Sequence, residues 1–396
     1  MSTSVEKELK LLFAGDLVVY EELKQNPFTN SSDLKALFKE YDYRIVNFEA
    51  PVILPSYLPA TKIGPSLYQK KGWEYFFSED TFNVASLANN HIMDFGKEGL
   101  AHTFHELQKL NVPTVGAALG AQKVYEPFII DKDGISIALF SANESTFGVF
   151  EDRISTYGVT KLCSPYLKAA IKNYRKQVNF IILVSHCGLE MVEYPLPEWR
   201  MIFREFLEIG VDIIINSHPH VIQGKELVNQ KFIYYSLGNF FFNQPGKDPG
   251  WYNSLLVGVV FSKDGKIKTQ EYFVQVTPKS IALIPESTLI KQFQENSLLL
   301  CEENEESYYN LIDAICLDYW HKYLHKYFSF QPFKEKYYPV PTFLQKWLNA
   351  IRYLFFSKNY FTQQNTLWLY HNLCIESNLF TINRALKLML NLKSMN

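Results

Sequence analysis

Side chains that can bind metal ions or transfer protons follow five apolar runs of the sequence, at the point where each run ends. Carboxylate, amide and imidazole groups are together the donors that divalent ions such as Mn, Zn and Fe take in proteins. In open α/β sheets, ligands bind beyond the carboxyl ends of the strands, so the five ends predict one shared crevice. The residues at these ends are Asp16; Glu49; Asn89, Asn90 and His91 with Asp94; His186 with Glu190; and Ser217, His218 and His220.

The pair His218 and His220 is the most specific single signal in this set. Pro219 between them is expected to hold the backbone extended, and alternate residues of an extended segment point the same way. The two imidazoles could therefore address one site. A lone histidine is more often structural, and His102 and His105, on a predicted surface helix, are interpreted in that way. The metal-site prediction thus depends on the five polar strand ends occurring together.

The surrounding pattern predicts an α/β layered domain over about the first 275 residues. Short β-branched runs alternate with helical patterns, and the fully apolar runs 178–186 and 211–217 are typical of strands covered on both faces. The dipeptides at 133–134 and 264–265 are both Asp-Gly, which predicts two β-hairpins. The segment Ser31-Ser32-Asp33 is expected to cap a helix of about ten residues that ends near Tyr41. Further helices are predicted over 97–110 and 198–209.

The C-terminal part of the chain differs in composition. Strand signals fade after about residue 278, and helical spacing predicts helices over 307–328, 342–356 and 367–392. We therefore expect one domain over residues 1–277 and an all-helical, aromatic-rich extension over 278–396. Between Tyr308 and Tyr370, 20 of 63 residues are aromatic. The same segment contains seven Lys and Arg but only three Asp and Glu. This composition suits peripheral contact with a membrane surface or a polymer-binding face; the alternative, which we favour, is a helical cap packed on the first domain.

Overall composition narrows the class of protein. The 396 residues include 39 Lys and Arg against 41 Asp and Glu, and this balance argues against a nucleic-acid binder. A hydrophobic content of 47% is enough for a large core. Five cysteines without paired spacing predict reduced thiols. Glu6 and Glu8 stand where a secretion signal would be positively charged, and no window has the ~20 apolar residues of a transmembrane helix. We therefore expect a cytoplasmic location, with peripheral attachment to the inner membrane face left open.

Six segments resemble, in order and spacing, the signatures of the CapA family of capsule and poly-gamma-glutamate synthesis proteins. They cover roughly residues 9–275, and TKIGPSL at 61–67 resembles a further element of the family. The resemblance implies a calcineurin-like metallophosphoesterase fold, in which two mixed sheets form a layered sandwich flanked by helices. The six segments are AGDLVVY, NFEAPV, SLANNHIMDFG, HCGLE with Pro195, NSHPHVIQG and YYSLGNFFF.

The resemblance also implies roles for single residues. Two divalent ions (Mn, Zn or Fe) are expected, and Glu49 would stand where the superfamily has a bridging aspartate. His91 would face the leaving group, with Asp94 orienting it. The sequence departs from the superfamily's Asp-x-His motif, which is Asp16-Leu17-Val18 here, so one metal position lacks an imidazole. The metal ligands implied by the resemblance are Asp16, Glu49, Asn90, His186, His218 and His220.

Three further residues are candidates for binding an anionic small molecule or polymer as substrate. Lys62 could neutralise a phosphate or a carboxylate, although a solvated loop lysine is the simpler interpretation. Glu190 could support His186 or form a salt bridge. Asn239, in the segment LGNF, could cap the site or form a turn.

The predicted chemistry is metal-assisted hydrolysis of a phosphoester or a related phosphoryl or acyl link. Two functions stay open. The protein could be a metal-dependent phosphatase or hydrolase in the synthesis of a capsule or another surface polymer, either polysaccharide or poly-gamma-glutamate. It could instead be a non-catalytic factor whose metal crevice holds an anionic polymer during assembly or export. The pair His91 and Asp94 favours the enzyme because a binder needs no proton donor, whereas the missing imidazole favours the binder.

Overall fold

The apolar runs of the sequence form β-strands in three sheets. The structure, a computed structural model, describes residues 7–151, 154–277, 280–284, 288–324 and 371–390. Within them the strands are β1 (Glu8–Val18), β2 (Tyr43–Phe48), β3 (Val84–Ser86), β4 (Thr114–Val115), β5 (Ala117–Ala118), β6 (Phe128–Lys132), β7 (Ile135–Asn143), β8 (Gly158–Val159), β9 (Phe180–His186), β10 (Ile213–Ser217), β11 (Lys225–Val228), β12 (Lys231–Tyr234), β13 (Asn239–Phe242), β14 (Asn253–Ser262), β15 (Ile267–Thr277) and β16 (Ser280–Leu283). The bounded α-helices are α1 (Ser32–Lys39), α2 (Gly96–Lys109), α3 (Pro165–Tyr174), α4 (Pro197–Glu208), α5 (Thr288–Leu299), α6 (Glu305–Tyr319) and α7 (Glu376–Met389).

Two of the sheets are large, and both are mixed. The first has the strand order β16-β15-β14-β1-β2-β3-β4, and β13 pairs with the end of β1. Strand β1 runs parallel to β2 and β13 but antiparallel to β14. The second sheet has the order β11-β12-β10-β9-β7-β6, with parallel pairing from β7 through β9 and β10 to β12. Strands β5 and β8 form a separate antiparallel pair.

The two large sheets pack face to face because their strands carry apolar side chains on both faces. Along β1, Leu11 and Phe13 lie in the same core cluster as Ile182 of the second sheet. Leu12, which points to the opposite face of β1, clusters instead with Leu34 and other residues of α1 and α2. The expectation of an α/β layered sandwich of two mixed sheets flanked by helices is therefore confirmed.

Turn chemistry explains how neighbouring strands connect. Asp133 and Gly134 join β6 to β7 with φ angles of 57° and 80°, as both central residues of a type I′ turn require. The second predicted hairpin joins β14 to β15, and Gly265 has a φ of 89° there. Ser31 occupies the N-cap position of α1, but its side chain does not cap the helix. Its hydroxyl donates instead to the carbonyl oxygen of Ile281.

The chain divides into two compact units, one of residues 1–61 and 65–310 and the other of residues 62–64 and 311–396. Strand β16 and helix α5 follow residue 277 and lie in the first unit. Of the predicted C-terminal helices, 307–328 corresponds to α6 and 367–392 to α7, while 342–356 and most of the aromatic segment lie outside the described residues. Among the helices that the structure describes, none has the length and apolar character needed to cross a membrane.

Candidate metal centre

The polar strand ends meet where the carboxyl ends of the two large sheets come together. In the first sheet, Asp16 at the end of β1 pairs with Asn47 of β2 and Asn239 of β13. In the second sheet, His186 at the end of β9 lies opposite Ser217 at the end of β10. Side chains from both sheets are then in contact, since Asn47 Nδ2 donates to Asp16 Oδ1 at 2.7 Å and lies 3.1 Å from His186 Nδ1.

Gly15 allows the backbones of β1 and β13 to approach closely beside Asp16. A Cβ at this position would lie 1.8 Å from the carbonyl oxygen of Gly238. The same oxygen accepts a hydrogen bond from Asp16 N at 3.1 Å, and the pairing of β1 with β2 shifts register between Ala14 and Asp16. The absence of a side chain at Gly15 therefore permits the bulge that places Asp16 in the centre.

Replacing Gly15 with alanine should destabilise the protein by about 1–3 kcal/mol or more, because the new methyl group meets backbone that cannot rotate away. Urea denaturation of the metal-free protein measures the change. Gly120→Ala is the matched control, since a Cβ there would have no heavy atom within 4 Å. Equal stability of the two variants would show that the close approach at Gly15 does not constrain the fold.

The expected extended geometry of the histidine pair is wrong. His218 and His220 have φ angles of 99° and 59°, so both lie in the left-handed region that non-glycine residues rarely adopt. Both imidazoles still reach the centre: His218 N donates to Asp16 Oδ2 at 3.3 Å, and His220 Nδ1 lies 3.2 Å from the same oxygen. Backbone strain of this kind costs about 1–3 kcal/mol per residue and is typical of functional sites.

Glu49 lies between two groups of candidate metal donors. Its Oε1 is 3.3 Å from His186 Nε2 and 3.9 Å from His220 Nε2. The first group is Glu49, His186 and His218, and the second is Asp16, Glu49 and His220; in each, the ligand atoms lie within 4.8 Å of one another. Two donor groups that share one carboxylate are what a pair of bridged divalent ions requires.

The carboxylate of Glu49 shows that a cation fits this centre. Glu49 is fully buried, and neither of its oxygens has a hydrogen-bond partner. Burial, and next the charge of Asp16, raise the pKa of Glu49 well above its ordinary value. An ionised carboxylate is costly to bury unless it is paired or coordinates a metal ion, so a divalent ion between these residues would supply the missing partner.

The three histidines of the centre titrate differently. Burial lowers the pKa of His186 to about 3 and, together with the charge of His186, lowers the pKa of His218 well below its ordinary value. Both rings are therefore neutral near pH 7, as metal ligands must be. Burial also acts to lower the pKa of His220, but Glu49 and Asp16 outweigh it and raise that pKa to about 10. A metal ion entering beside His220 would have to displace this proton.

Asn90 and Asn239 hold two of these imidazoles. Asn90 Oδ1 lies 2.9 Å from His186 Nε2, so Asn90 joins the first donor group. Asn239 Nδ2 donates to the carbonyl oxygen of Trp251, which leaves Asn239 Oδ1 facing His220 Nδ1 at 2.9 Å. Nδ1 would therefore keep its proton when a metal ion displaces the one on Nε2, and Nε2 lies 3.9 Å from Glu49 Oε1. Asn239 thus contacts a candidate metal ligand, and its role towards the substrate stays a prediction.

His91 and Asp94 form a pair at the same edge. Asp94 Oδ2 lies 2.7 Å from His91 Nδ1, and the backbone N–H of Leu67 donates to the same oxygen at 2.7 Å. His91 N and Ile92 N both donate to Oδ1 of Asn89. The pair is therefore held by several hydrogen bonds, and the His91 ring orientation depends on Asp94.

The remaining two predicted substrate residues lie in different places. Glu190 follows β9 in an exposed position, and its carboxylate forms a third group of donor atoms with His218 and His220 within 4.8 Å. Lys62 belongs to the short segment Lys62–Gly64, which groups with the second unit. Its proposed contact with substrate stays a prediction.

Several buried residues of the centre were missed by the sequence analysis. Glu144 is fully buried directly after β7, accepts a hydrogen bond from Gly188 N at 2.9 Å, and lies 3.9 Å from His218 Nε2. It obeys the same strand-end rule as the others, because it directly follows Asn143 at the end of β7, but this end is not among the five predicted from the sequence. Trp251, whose ring lies 4.7 Å from that of His220, comes from the short 3₁₀ helix Pro249–Tyr252, which carried no sequence signal for the site.

The fold and the site define an α/β sandwich with a candidate centre for divalent ions at the carboxyl ends of its strands. Residues 10–244 match the family described as "Bacterial capsule synthesis protein PGA_cap". The chain therefore belongs to this family of bacterial capsule synthesis proteins, which confirms the resemblance carried by its six sequence segments.

Curated relatives agree with the family match. The chain is 28% identical over 274 residues to the "PGA biosynthesis protein CapA" of Bacillus subtilis (strain 168), an alignment that spans 67% of this chain and 71% of the relative. It is 25% identical over 256 residues to the "Capsule biosynthesis protein CapA" of Bacillus anthracis, which spans 62% of this chain and only 61% of that relative. Among solved structures, a 5'-nucleotidase precursor from Thermus thermophilus is similar with a TM-score of 0.39 and 15% identity, over 73% of this chain and 58% of that one.

Proposed function

We propose that this protein is a metal-dependent phosphoesterase-type hydrolase that acts in the synthesis of a bacterial capsule or a related surface polymer. The single observation that carries the proposal is the buried, unpartnered carboxylate of Glu49 between two groups of metal donors. The family to which the chain belongs supports a role in the synthesis of a surface polymer. The names of the two curated relatives support capsule or poly-gamma-glutamate as that polymer.

Divalent ions, when bound, would polarise a phosphoryl oxygen of the substrate and lower the pKa of a water to near neutrality. The two donor groups would hold them: His186, His218 and Asn90 on one side, Asp16 and His220 on the other, with Glu49 shared. Apart from Asn90, these side chains are buried, which keeps bulk water away and strengthens their electrostatic interactions with a bound anion.

Proton transfer to the leaving group would fall to His91. Asp94 accepts the hydrogen bond from Nδ1, so Nε2 of His91 would carry the proton that is delivered to the departing oxygen. The bond from Leu67 N to Asp94 keeps that carboxylate in place during the transfer. Asp94 thus acts as a positioning residue for the imidazole.

Lys247 is a better candidate than Lys62 for contact with an anionic substrate. Lys247 is exposed, and its ammonium lies 4.4 Å from the ring centroid of Trp251. Trp251 in turn packs against His220, and its indole N–H donates to the carbonyl oxygen of Phe242 at 3.0 Å. The rigid indole therefore holds a positive charge at the solvent-facing side of the centre, where a phosphate or carboxylate would enter.

Replacing Lys247 with glutamine should raise the KM for an anionic phosphoester roughly 3- to 10-fold, as expected from the loss of one exposed charge contact, and should leave kcat within about twofold. Steady-state kinetics at low ionic strength measure both constants. Lys172→Gln, on the exposed surface of α3, is the control for a general change in charge. A KM equal to that of the wild type would remove Lys247 from the substrate site.

The missing imidazole after Asp16 keeps the non-catalytic alternative in view. Leu17 and Val18 are fully buried and offer no donor, so the donor group around Asp16 is the poorer one. A factor that holds an anionic polymer without cleaving it would need the bound ions but not His91. Hydrolysis therefore distinguishes the two functions.

The proposal is tested by hydrolysis of p-nitrophenyl phosphate and bis(p-nitrophenyl) phosphate with added Mn²⁺ or Zn²⁺. We expect hydrolysis that requires metal and that His218→Ala abolishes, because this change removes a donor. His105→Ala is the control, since His105 is an exposed histidine on α2. Activity that survives His218→Ala would assign the hydrolysis to another site, and two bound ions without hydrolysis of either ester would favour the polymer-binding factor.

A further inference from the structure

The two halves of the candidate metal centre have unequal sets of donors. Around His186 there are four, because Glu49, His218 and Asn90 all lie near its Nε2. Around His220 there are three, from Asp16, Glu49 and the imidazole itself. Divalent ions such as Mn and Zn take four or more ligands in proteins. The half around His220 is therefore short of a ligand.

Glu190 lies beside one imidazole from each half of the centre, and one of the two is His220. Its carboxylate oxygen and the ring nitrogens of His218 and His220 lie within 4.8 Å of one another. Unlike the other donors, Glu190 is exposed. Within the part of the chain that the structure describes, its carboxylate forms neither a salt bridge nor a hydrogen bond with another side chain. A role of Glu190 as a metal ligand is thus compatible with the contacts of its side chain.

The backbone around Glu190 is fixed against the histidine segment. Cys187 N donates to the carbonyl oxygen of Ser217 at 3.1 Å, and Met191 N donates to that of Pro219 at 2.9 Å. Gly188 N is held by Glu144 at 2.9 Å. These bonds set the position of Glu190 relative to His218 and His220 before any ion binds.

We propose that Glu190 is a metal ligand that completes the half of the centre around His220. The inference rests on the proposed metal-dependent function and names a ligand that the sequence patterns did not assign to metal. Because Glu190 is exposed while Asp16 and Glu49 are fully buried, it closes the centre from the solvent side. The ion that it contacts is consequently the more weakly held of the two, and the ion beside His186 depends on Glu190 little.

Counting and titrating Mn²⁺ ions in the full-length protein tests this assignment. Elemental analysis after gel filtration gives ions per chain, and calorimetric titration of the metal-free protein gives the two dissociation constants. The variants are Glu190→Gln, which removes the ligand charge, and Glu193→Gln, which makes the same change three residues farther along the loop. Both positions are in the first unit, and Glu193 contacts Gln292 rather than the histidines.

We expect the wild type and Glu193→Gln to bind two ions, and Glu190→Gln to keep one tight ion while binding the second at least about 10-fold more weakly. Two dissociation constants in Glu190→Gln equal to those of the wild type would overturn the role of Glu190 and leave the proposed function intact. An equal weakening in Glu193→Gln would also overturn it, because the effect would then come from the loop. No binding of Mn²⁺ by the wild type would instead overturn the proposed function.

Discussion

Replacing Glu49 with glutamine should raise the melting temperature of the metal-free protein and remove the stabilisation that Mn²⁺ gives to the wild type. Glu49 is fully buried and its two oxygens lack hydrogen-bond partners, so in the metal-free fold the charge of His220 only partly offsets the cost of burying this carboxylate. A buried polar group without a hydrogen-bond partner costs about 1–3 kcal/mol and a charged one costs more, so the neutral amide should be the less costly of the two side chains. Glutamine cannot bridge two cations, so Mn²⁺ at 100 times its Kd should no longer add its ~2.7 kcal/mol.

The pH dependence of this gain has a definite sign. The pKa of Glu49 is raised in the folded protein, so the folded state holds that proton more tightly than the unfolded state does. The contribution of Glu49 to the free energy of unfolding is therefore most favourable below the ordinary carboxyl pKa. It is lost as pH rises towards the raised pKa. Glutamine does not titrate, so the advantage of Glu49→Gln in the metal-free protein should be greater at pH 8 than at pH 5.

Glu226→Gln provides a control of opposite sign. Glu226 is also buried, but its oxygens accept hydrogen bonds from Arg200, Arg204 and Tyr235. Removing one partner of a buried ion pair is destabilising by about 3–5 kcal/mol, so this variant should melt below the wild type. Calorimetric melting of chelator-treated protein compares the two. Destabilisation of the metal-free protein by both changes would mean that Glu49 has partners in the fold and does not await a cation.

Replacing His91 with alanine should lower kcat for phosphoester hydrolysis about 10²- to 10⁴-fold while two metal ions remain bound. The expected separation follows from the geometry, since His91 contacts Asp94 and belongs to none of the three donor groups. Asp94→Asn should give a smaller loss, because the imidazole is retained but its orientation and proton affinity change. Steady-state kinetics and elemental analysis of the same samples measure both effects.

Substrate chemistry supplies a control for the role of His91. An ester whose leaving group is a weak base, such as p-nitrophenol, needs protonation less than an alkyl ester does. The loss in His91→Ala should therefore be larger for an alkyl phosphate than for p-nitrophenyl phosphate. The same loss for both esters would contradict proton donation by His91, and a parallel loss of bound metal would make it a residue of the metal centre.

Much of the centre could be predicted from the sequence because one physical rule places it. Parallel strands present their carboxyl ends at the same edge, so polar residues that end apolar runs must lie near one another. Asp16, Glu49 and His186 follow this rule, and the structure brings them together. The hairpin at Asp133 and Gly134 was equally predictable, because few residues accept left-handed φ angles in succession.

The features that could not be predicted from the sequence depend on contacts between segments far apart in the chain. Asn239 faces His220 only because β13 pairs with β1, and Trp251 reaches the same ring from the short 3₁₀ helix Pro249–Tyr252. The left-handed backbone of His218 is strain that the fold imposes, against the local expectation set by Pro219. Ser31 is a further example, since its hydroxyl donates to the carbonyl oxygen of Ile281 in β16 and does not cap α1.

The count of metal ions per chain tests the central claim most directly. The protein is stripped with chelator, reconstituted with Mn²⁺, freed of excess ions by gel filtration, and analysed for metal alongside Glu49→Gln. The shared carboxylate predicts about two ions per wild-type chain and a loss of bound metal from the variant. A wild type that retains no metal, or a Glu49→Gln variant that retains two ions, would contradict a metal centre built around Glu49.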